Sequence, residues 1–268
     1  MNYNWDASTY DHISDVIESW GLEILAQRRW KGDEIVLDAG CGVATLTKKL
    51  SKLVPHGRVI GIDIDPAMIK FARTKLANSN NTQVIRGDIL EMRFHSEFDV
   101  IFSNAVLHWI SDHKKVFDLF LHALKADGQI LIQCGGYGNL AKSLEIFDRI
   151  KNSSQFRNYF EDQNGERVWT KPWYFPRKED VEILLRDTGF THIHVFMENK
   201  IANLGNKKDY SLYIRTIVLR PYLEYLQNEQ LKKSFVDSII YEIDDSIPEL
   251  RWKLDYVRLN IFANKKNN

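Results

Sequence analysis

The sequence predicts an α/β protein with a mostly parallel sheet, on three observations. Short apolar runs alternate with segments of helical period through the first half of the chain. The first run, Glu34 to Asp38, passes through Gly40-Cys41-Gly42 directly into a helical pattern. Two of the runs end in a carboxylate, at Asp38 and at Asp63. Strands separated by helices need right-handed crossovers, which is the connectivity of a parallel sheet covered on both faces.

Taken in order, residues 8–30 carry Ile13, Val16, Ile17, Trp20, Ile24 and Leu25 near helical spacing and stop at Gly32-Asp33, so an amphipathic helix opens the chain. Strand 34–38, the glycine turn and a helix bearing Leu46, Leu50 and Leu53 follow. Next come strand 58–62, helix 66–77, strand 82–86, strand 98–103, helix 112–124 and strand 128–134. The pattern then loosens into a helix near 140–151 and an aromatic-rich stretch, Trp169 to Phe175, before helix 177–188 and strand 191–197. Residues 206–247 read as two or three helices inserted ahead of a last strand, 252–263, where Val257, Leu259, Ile261 and Ala263 alternate with polar residues. The expected organisation is a lid helix over 1–30, a core formed by 31–198 with 251–268, and a helical insertion over 199–250 that caps the acceptor pocket.

Composition excludes several classes. The 268 residues carry 36 Lys+Arg and 36 Asp+Glu, and 44% are hydrophobic, as in a folded globular chain. The charge is evenly spread, with no basic stripe beyond Lys265-Lys266, which disfavours a nucleic-acid partner. Cys41 and Cys134 have no metal-ligand spacing, and no His, Asp and Glu cluster offers one, so no metal is expected. The polar N-terminus has no signal-peptide core and no run spans a membrane, so the expectation is a cytoplasmic protein, a monomer or homodimer.

The glycine turn decides the ligand. A dinucleotide fingerprint would place Gly or Ala at position 45, where the chain has Thr45. A carboxylate at the strand tip would also repel a pyrophosphate in a partly desolvated crevice. A nicotinamide cofactor is therefore disfavoured, and a cationic, phosphate-free one is favoured. S-adenosylmethionine carries an α-ammonium and a sulfonium and needs close backbone approach at Gly40 and Gly42. Asp63 can accept both ribose hydroxyls of its adenosine, Asp88 can accept the adenine amino group, and Ile89 or Met68 can pack on the ring. The end of the strand at Asn104 must face the same crevice.

Asp38-Ala-Gly40-Cys-Gly42, Gly61-Ile-Asp63-Ile-Asp65-Pro-Ala-Met68, Gly87-Asp88, Phe98-Asp99 and Leu124-Lys-Ala-Asp-Gly128 resemble, in order, the motifs of class I S-adenosylmethionine-dependent methyltransferases. The resemblance covers about residues 30–135 and implies a Rossmann-like seven-stranded sheet, mostly parallel, with helices on both faces and an antiparallel last strand. Asn4-Trp5-Asp6-Ala-Ser8-Thr-Tyr10, Ser103-Asn104-Ala105-Val-Leu-His108-Trp109 and Leu219-Arg220-Pro-Tyr222 look like the trans-aconitate methyltransferase subgroup, which methylates a carboxylate oxygen. That family usually has glycine at or near Ala44. The resemblance implies donor contacts from Trp5, Tyr10, Asp38, Gly40, Cys41 (through its backbone), Gly42, Asp63, Ile64, Met68, Asp88, Ile89, Asn104, Ala105 and His108.

Trp109, Trp173, Arg220 and Tyr222 are the candidate acceptor residues; Arg220 could equally hold an internal salt bridge. Asp65 reads as the N-cap of the helix opened by Pro66. His108, against a packing role, or a tyrosine such as Tyr10 is the candidate general base. A carboxylate acceptor needs no base, whereas an amine or phenol would. The expected activity is carboxylate O-methylation of a small molecule. The alternatives are N-, C- or phenol O-methylation, or a non-catalytic adenosyl-binding module.

Overall fold

The computed structural model describes residues 5–162, 164–166 and 168–266. Asn4 of the opening motif lies outside them. The chain divides into two compact units. The first holds Met1–Tyr137, Trp173–Glu198 and Arg258–Asn268; the second holds Gly138–Pro172 and Asn199–Val257. The second unit is thus larger than the inserted helices alone, because 138–172 joins it.

The first unit opens on two helices, α1 (Ala7–Ile13) and α2 (Asp15–Ala26), where the periodicity suggested one. They part at Ser14, whose buried hydroxyl donates to Glu18 Oε1 at 2.6 Å. A serine that satisfies itself locally competes with helix continuation. The elements that follow are β1 (Ile35–Ala39), α3 (Thr45–Leu53), β2 (Arg58–Asp63), α4 (Pro66–Lys75), β3 (Thr82–Arg86), β4 (Phe98–Asn104), α5 (His113–Ala123) and β5 (Leu124–Gly135). After α6 (Ala141–Lys151) come α7 (Lys178–Thr188), β6 (Phe190–Asn203), α8 (Lys207–Tyr213), α9 (Arg220–Leu223), α10 (Glu229–Ser246) and β7 (Lys253–Lys265).

Seven strands form one sheet in the order β3-β2-β1-β4-β5-β7-β6. β1 to β5 are parallel, and β7 is antiparallel to β5, with Gly135 opposite Arg258 and Gln133 opposite Asn260. Thr191 Oγ1 donates to the Asn264 carbonyl and Leu204 N to the Trp252 carbonyl, so β6 and β7 also run antiparallel. Each β-strand sends alternate residues to opposite faces. One face packs Leu37, Ile101, Ile130 and Ile261 against Phe117 and Phe120 of α5 and Val181 and Leu185 of α7. The other packs Val36, Val100, Phe102 and Leu131 against Ile24 and Leu25 of α2 and Leu46 and Leu50 of α3. The buried strands read as near-continuous apolar runs for that reason.

The second unit has its own aromatic core, in which Phe147, Phe160 and Phe235 surround Tyr222 and Phe156 packs on Phe235. A π-helix, Ile214–Val218, leads from α8 into α9. Its wide turn is closed by Leu219 N donating to Ile214 O at 2.6 Å, just ahead of Pro221, which has no N–H to donate.

Phe102 lies on the central strand β4 and is fully buried. Phe102→Ala is expected to cost about 3–5 kcal/mol of stability in urea unfolding of the whole chain. A loss below about 1 kcal/mol would contradict this account of the core.

Candidate active site

The carboxyl ends of the parallel strands define the crevice in an open α/β sheet. At the end of β1, Gly40 N and Cys41 N both donate to Ile62 O of β2, at 2.8 and 3.0 Å. Gly40 has φ 81°, and a Cβ there would collide with Val106. Gly42 has φ 52°, and nothing lies within 4 Å of where its Cβ would be, so the turn presents bare backbone to open space. Ala44 also adopts a left-handed conformation, φ 63°. That explains why glycine suits this position in the family, and it is a mild strain here.

Two carboxylates flank the turn. Asp38 is 2% exposed and accepts from Thr47 Oγ1 of α3 at 2.6 Å. Burial pushes its carboxyl from the ordinary 3.8 up to about 7, against the Thr47 hydrogen bond and helped by the charge of Asp63. Asp63 accepts from Gly42 N and Asp65 N, both at 2.9 Å, and burial raises its carboxyl as well. Asp65 is the helix cap the sequence suggests, with Oδ1 accepting from Ala67 N at 2.7 Å and Met68 N at 3.0 Å. The Cys41 thiol packs with Ala44, Ile69 and Val84 and is held well above its usual range by burial, so only its backbone faces the turn.

Of the remaining candidates, Ile64 is 45% exposed beside the β2 tip, whereas Ile89 is buried in the main core. Asp88 uses one oxygen to cap the short turn after β3, accepting from Leu90 N at 2.8 Å. Met68 packs under α1 with Ala7 and Val43, and against Trp5, Tyr10 and Phe71. α1 is tied down by Trp5 N donating to Asp65 Oδ2 and by Asp11, which receives Lys75 Nζ and Thr45 Oγ1. The Lys75 tie was not evident from the sequence, because nothing in the spacing joins Asp11 to a helix sixty residues on.

Asn104 ends β4; its amide nitrogen donates to Ile17 O at 3.1 Å, and its buried Oδ1 has no hydrogen-bond partner among the described residues. Ala105 takes φ 60° and turns the chain into His108 and Trp109. Here the aromatic residues meet. Tyr10 contacts Trp5 edge-on, Trp5 contacts Trp109, Trp109 contacts Trp173, and Trp173 stacks on Phe175, which also neighbours His108, with ring centroids 5.7–6.3 Å apart. His108 Nδ1 accepts from Gly135 N at 3.3 Å. Burial, then the charge of Arg258, holds its imidazole far below the usual range, so it is neutral and carries its proton on Nε2. With Nδ1 engaged and its basicity lowered, the ring is a poor general base.

The other two acceptor candidates belong to the second unit. Arg220 follows the π-helix, with Nε 3.8 Å from Glu224 Oε1, so the internal ion pair weighed from the sequence is present. Tyr222 is fully buried, stacked on Trp169 at 4.6 Å with its hydroxyl 3.4 Å from Asp148 Oδ1. Arg258, Gln133 and Asn260, which sequence reasoning passed over, form a buried polar group on the α2 face of the sheet. The signal was present: they are the polar members of strands whose other members alternate as core.

A family of methyltransferase domains matches residues 31–180. The chain belongs to this family and is an S-adenosylmethionine-dependent methyltransferase. It is 27% identical over 270 residues to an uncharacterized methyltransferase of Schizosaccharomyces pombe, covering 98% of each chain. It is 34% identical over 130 residues to trans-aconitate 2-methyltransferase of Shigella flexneri, a match that covers 48% of this chain and only half the length, 50%, of that relative. Among solved structures, phosphoethanolamine N-methyltransferase 2 of Haemonchus contortus, in complex with phosphomonomethylethanolamine and S-adenosylhomocysteine, superposes with a TM-score of 0.62 at 20% identity. That superposition covers 98% of this chain and 57% of the other, and the likeness is one of fold.

The site fits the donor. Open space at Gly42 admits its backbone-hugging part, and the buried acid at Asp38 suits a cation. Because Asp38 binds its proton more tightly folded than unfolded, its contribution to stability is present below about pH 4 and is lost as pH rises through about 7. A cationic ligand reverses the preference by favouring the carboxylate. Below pH 7, binding therefore releases a proton, and S-adenosylmethionine affinity should rise up to about tenfold per pH unit from 5.5 to 7 and then flatten. Calorimetry in buffers of different ionisation enthalpy reads the proton directly. A flat profile, or an unchanged slope in Asp38→Asn, would contradict the reading.

Proposed function

We propose that the protein transfers the methyl group to a carboxylate oxygen of a small acid. The observation that carries this reading is the state of His108: its Nδ1 is engaged by Gly135 N and its proton lies on Nε2, so it is a donor. An amine or phenol would need a base to shed its proton, whereas a carboxylate is already ionised at neutral pH. The name of the trans-aconitate relative supports the same acceptor class.

In this reading Asp38, Gly40, the Cys41 backbone, Gly42 and Asp63 hold the methionine and ribose parts of the donor. Ile64, Met68, Asp88 and Ile89 flank its adenine, and Asn104, Ala105 and His108 border the methyl end. The bound donor supplies a methyl group already activated by its sulfonium, so the C–O bond forms as the C–S bond breaks and the electron pair stays on sulfur. The protein's task is to position. Trp5, Tyr10, Trp109 and Trp173 exclude water and offer ring faces to the positive charge, and holding the carboxylate about 3 Å from the methyl carbon accounts for much of the acceleration. α1, pinned by Asp65, Thr45 and Lys75, serves as the lid. Arg220 of the 199–250 segment is proposed to help choose the acceptor, with Tyr222 holding that segment's own aromatic core in place. The even charge supports a small soluble acceptor over nucleic acid, and a monomer or homodimer acting in the cytoplasm is proposed with it.

The test is a turnover screen with methyl-labelled donor against acids, including trans-aconitate, and against amines and phenols. The expected product is a methyl ester that releases labelled methanol in mild alkali. Label in an alkali-stable product would overturn the carboxylate reading, and donor binding with no transfer to any acceptor would indicate a non-catalytic module. Arg220→Ala is expected to lower turnover on acids by about 10-fold or more, the worth of a charged hydrogen bond. Full activity would remove Arg220 from the acceptor site.

A further inference from the structure

The reaction as described leaves His113 unused. It is the first residue of α5, 3% exposed, and follows Asp112, whose carboxylate caps the helix by accepting from Lys115 N at 3.0 Å. Its Nε2 lies 2.9 Å from the Leu107 carbonyl oxygen. A carbonyl only accepts, so the ring carries its proton on Nε2 and donates it there. Nδ1 is buried with no hydrogen-bond partner among the described residues, and burial holds the imidazole below its usual range. The ring is therefore neutral and offers one donor.

That donor holds the turn that leaves β4. Leu107 O also accepts from Ile110 N at 3.0 Å, closing the short 3-10 turn Leu107–Trp109 that carries His108 and Trp109. Such a turn has poorer hydrogen-bond geometry than an α-helix, so a second donor on its first carbonyl stiffens it. The next carbonyl, that of His108, accepts from Tyr174 N at 2.9 Å, and the Tyr174 ring meets the His113 ring edge-on with centroids 5.1 Å apart. Trp173 and Phe175 flank Tyr174 in the chain and pack on Trp109 and His108. His113 thus fastens the turn by a hydrogen bond and backs the Trp173–Phe175 segment with its ring.

We infer that His113 is a positioning residue for methyl transfer: its Nε2–H, bonded to Leu107 O, fixes the turn that brings His108 and Trp109 to the methyl end of the donor. The inference rests on the placement of that turn proposed above and not on the acceptor being an acid. Asp38, Gly42 and Asp63, which hold the donor, lie on β1, β2 and the turn after β1, so donor binding does not depend on this tie. Orientation does, because a displacement of about 1 Å costs on the order of 100-fold in rate.

The test compares His113→Gln with His113→Met in the whole chain. Glutamine carries an N–H as many bonds from the backbone as His113 Nε2, and methionine has the same reach with no donor. Both lose the ring, so the two variants differ in the hydrogen bond. The readouts are kcat and KM with methyl-labelled S-adenosylmethionine and trans-aconitate, the dissociation constant of S-adenosylhomocysteine, and hydrogen exchange of the Trp109 and Ile110 amides. His113→Met is expected to lower kcat by roughly 10- to 100-fold, with S-adenosylhomocysteine binding kept within about twofold and faster exchange at both amides. His113→Gln should recover kcat to within about threefold of wild type and restore the protection. A histidine that serves packing alone would lower the melting temperature in both variants and leave kcat and exchange alike in the two.

The inference is overturned if His113→Met keeps the wild-type kcat, or if the two variants lose it equally. Should wild type give no ester from trans-aconitate, it is the carboxylate reading that has failed; exchange at Trp109 and Ile110 then decides, and equal protection in the two variants overturns the inference. Should His113→Met fail to fold, His113→Asn, whose nitrogen stops one bond short of Leu107 O, takes its place. Nitrogen-15 spectra of the wild-type imidazoles decide independently of any variant, since a neutral His113 protonated on Nδ1 in place of Nε2 overturns it.

Discussion

The structure turns on two carboxylates held on either side of a bare backbone turn. Asp38 and Asp63 end neighbouring parallel strands, and the turn between them is fastened to β2 by Gly40 N and Cys41 N on Ile62 O and by Gly42 N on Asp63. Burial raises both carboxyls, with the charge of Asp63 adding to the rise at Asp38 and the charge of Asp65 to that at Asp63. A positive ligand relieves such a pair, and this is the physical reason a sulfonium donor suits the site and a pyrophosphate does not. The sheet order, the left-handed Ala44 and the packing of the Cys41 thiol all serve to hold that turn in place.

Much of this was legible in the sequence because it is local. The turn, the acids at strand ends and the Asp65-Pro66 helix start are each encoded within a few residues, where backbone conformation and capping chemistry leave few choices. The parallel order follows from the alternation of strand and helix, and the antiparallel last strand followed from the family resemblance. The break at Ser14 was missed because apolar spacing continues across it, and only the serine's own hydrogen bond to Glu18 marks it.

What the sequence concealed is long-range. Trp5, Trp109 and Trp173 are far apart in the chain, and no period predicts that their rings meet in one row. His108 looked like a base because histidine after a strand can be one; its Nδ1 is engaged by Gly135 N, a backbone group that only the β4–β5 pairing brings near. Arg258 and Asn260 were visible as the polar half of an alternating strand, and alternation ordinarily sends that half to solvent. Here α2 covers it, so polar residues that would be solvated on an edge become a buried polar group. Likewise Tyr222, a candidate acceptor residue by its neighbours in sequence, is the centre of the second unit's aromatic core.

The measurement that tests the central claim most directly is calorimetric titration of the full chain at pH 7.5 with S-adenosylmethionine and with NAD, repeated on Asp38→Asn and Asp63→Asn. The account predicts micromolar binding of the sulfonium donor, no measurable binding of NAD, and a loss of roughly tenfold or more in donor affinity in each variant. NAD binding as tight as the donor, or donor affinity unchanged when either carboxylate is removed, would contradict it.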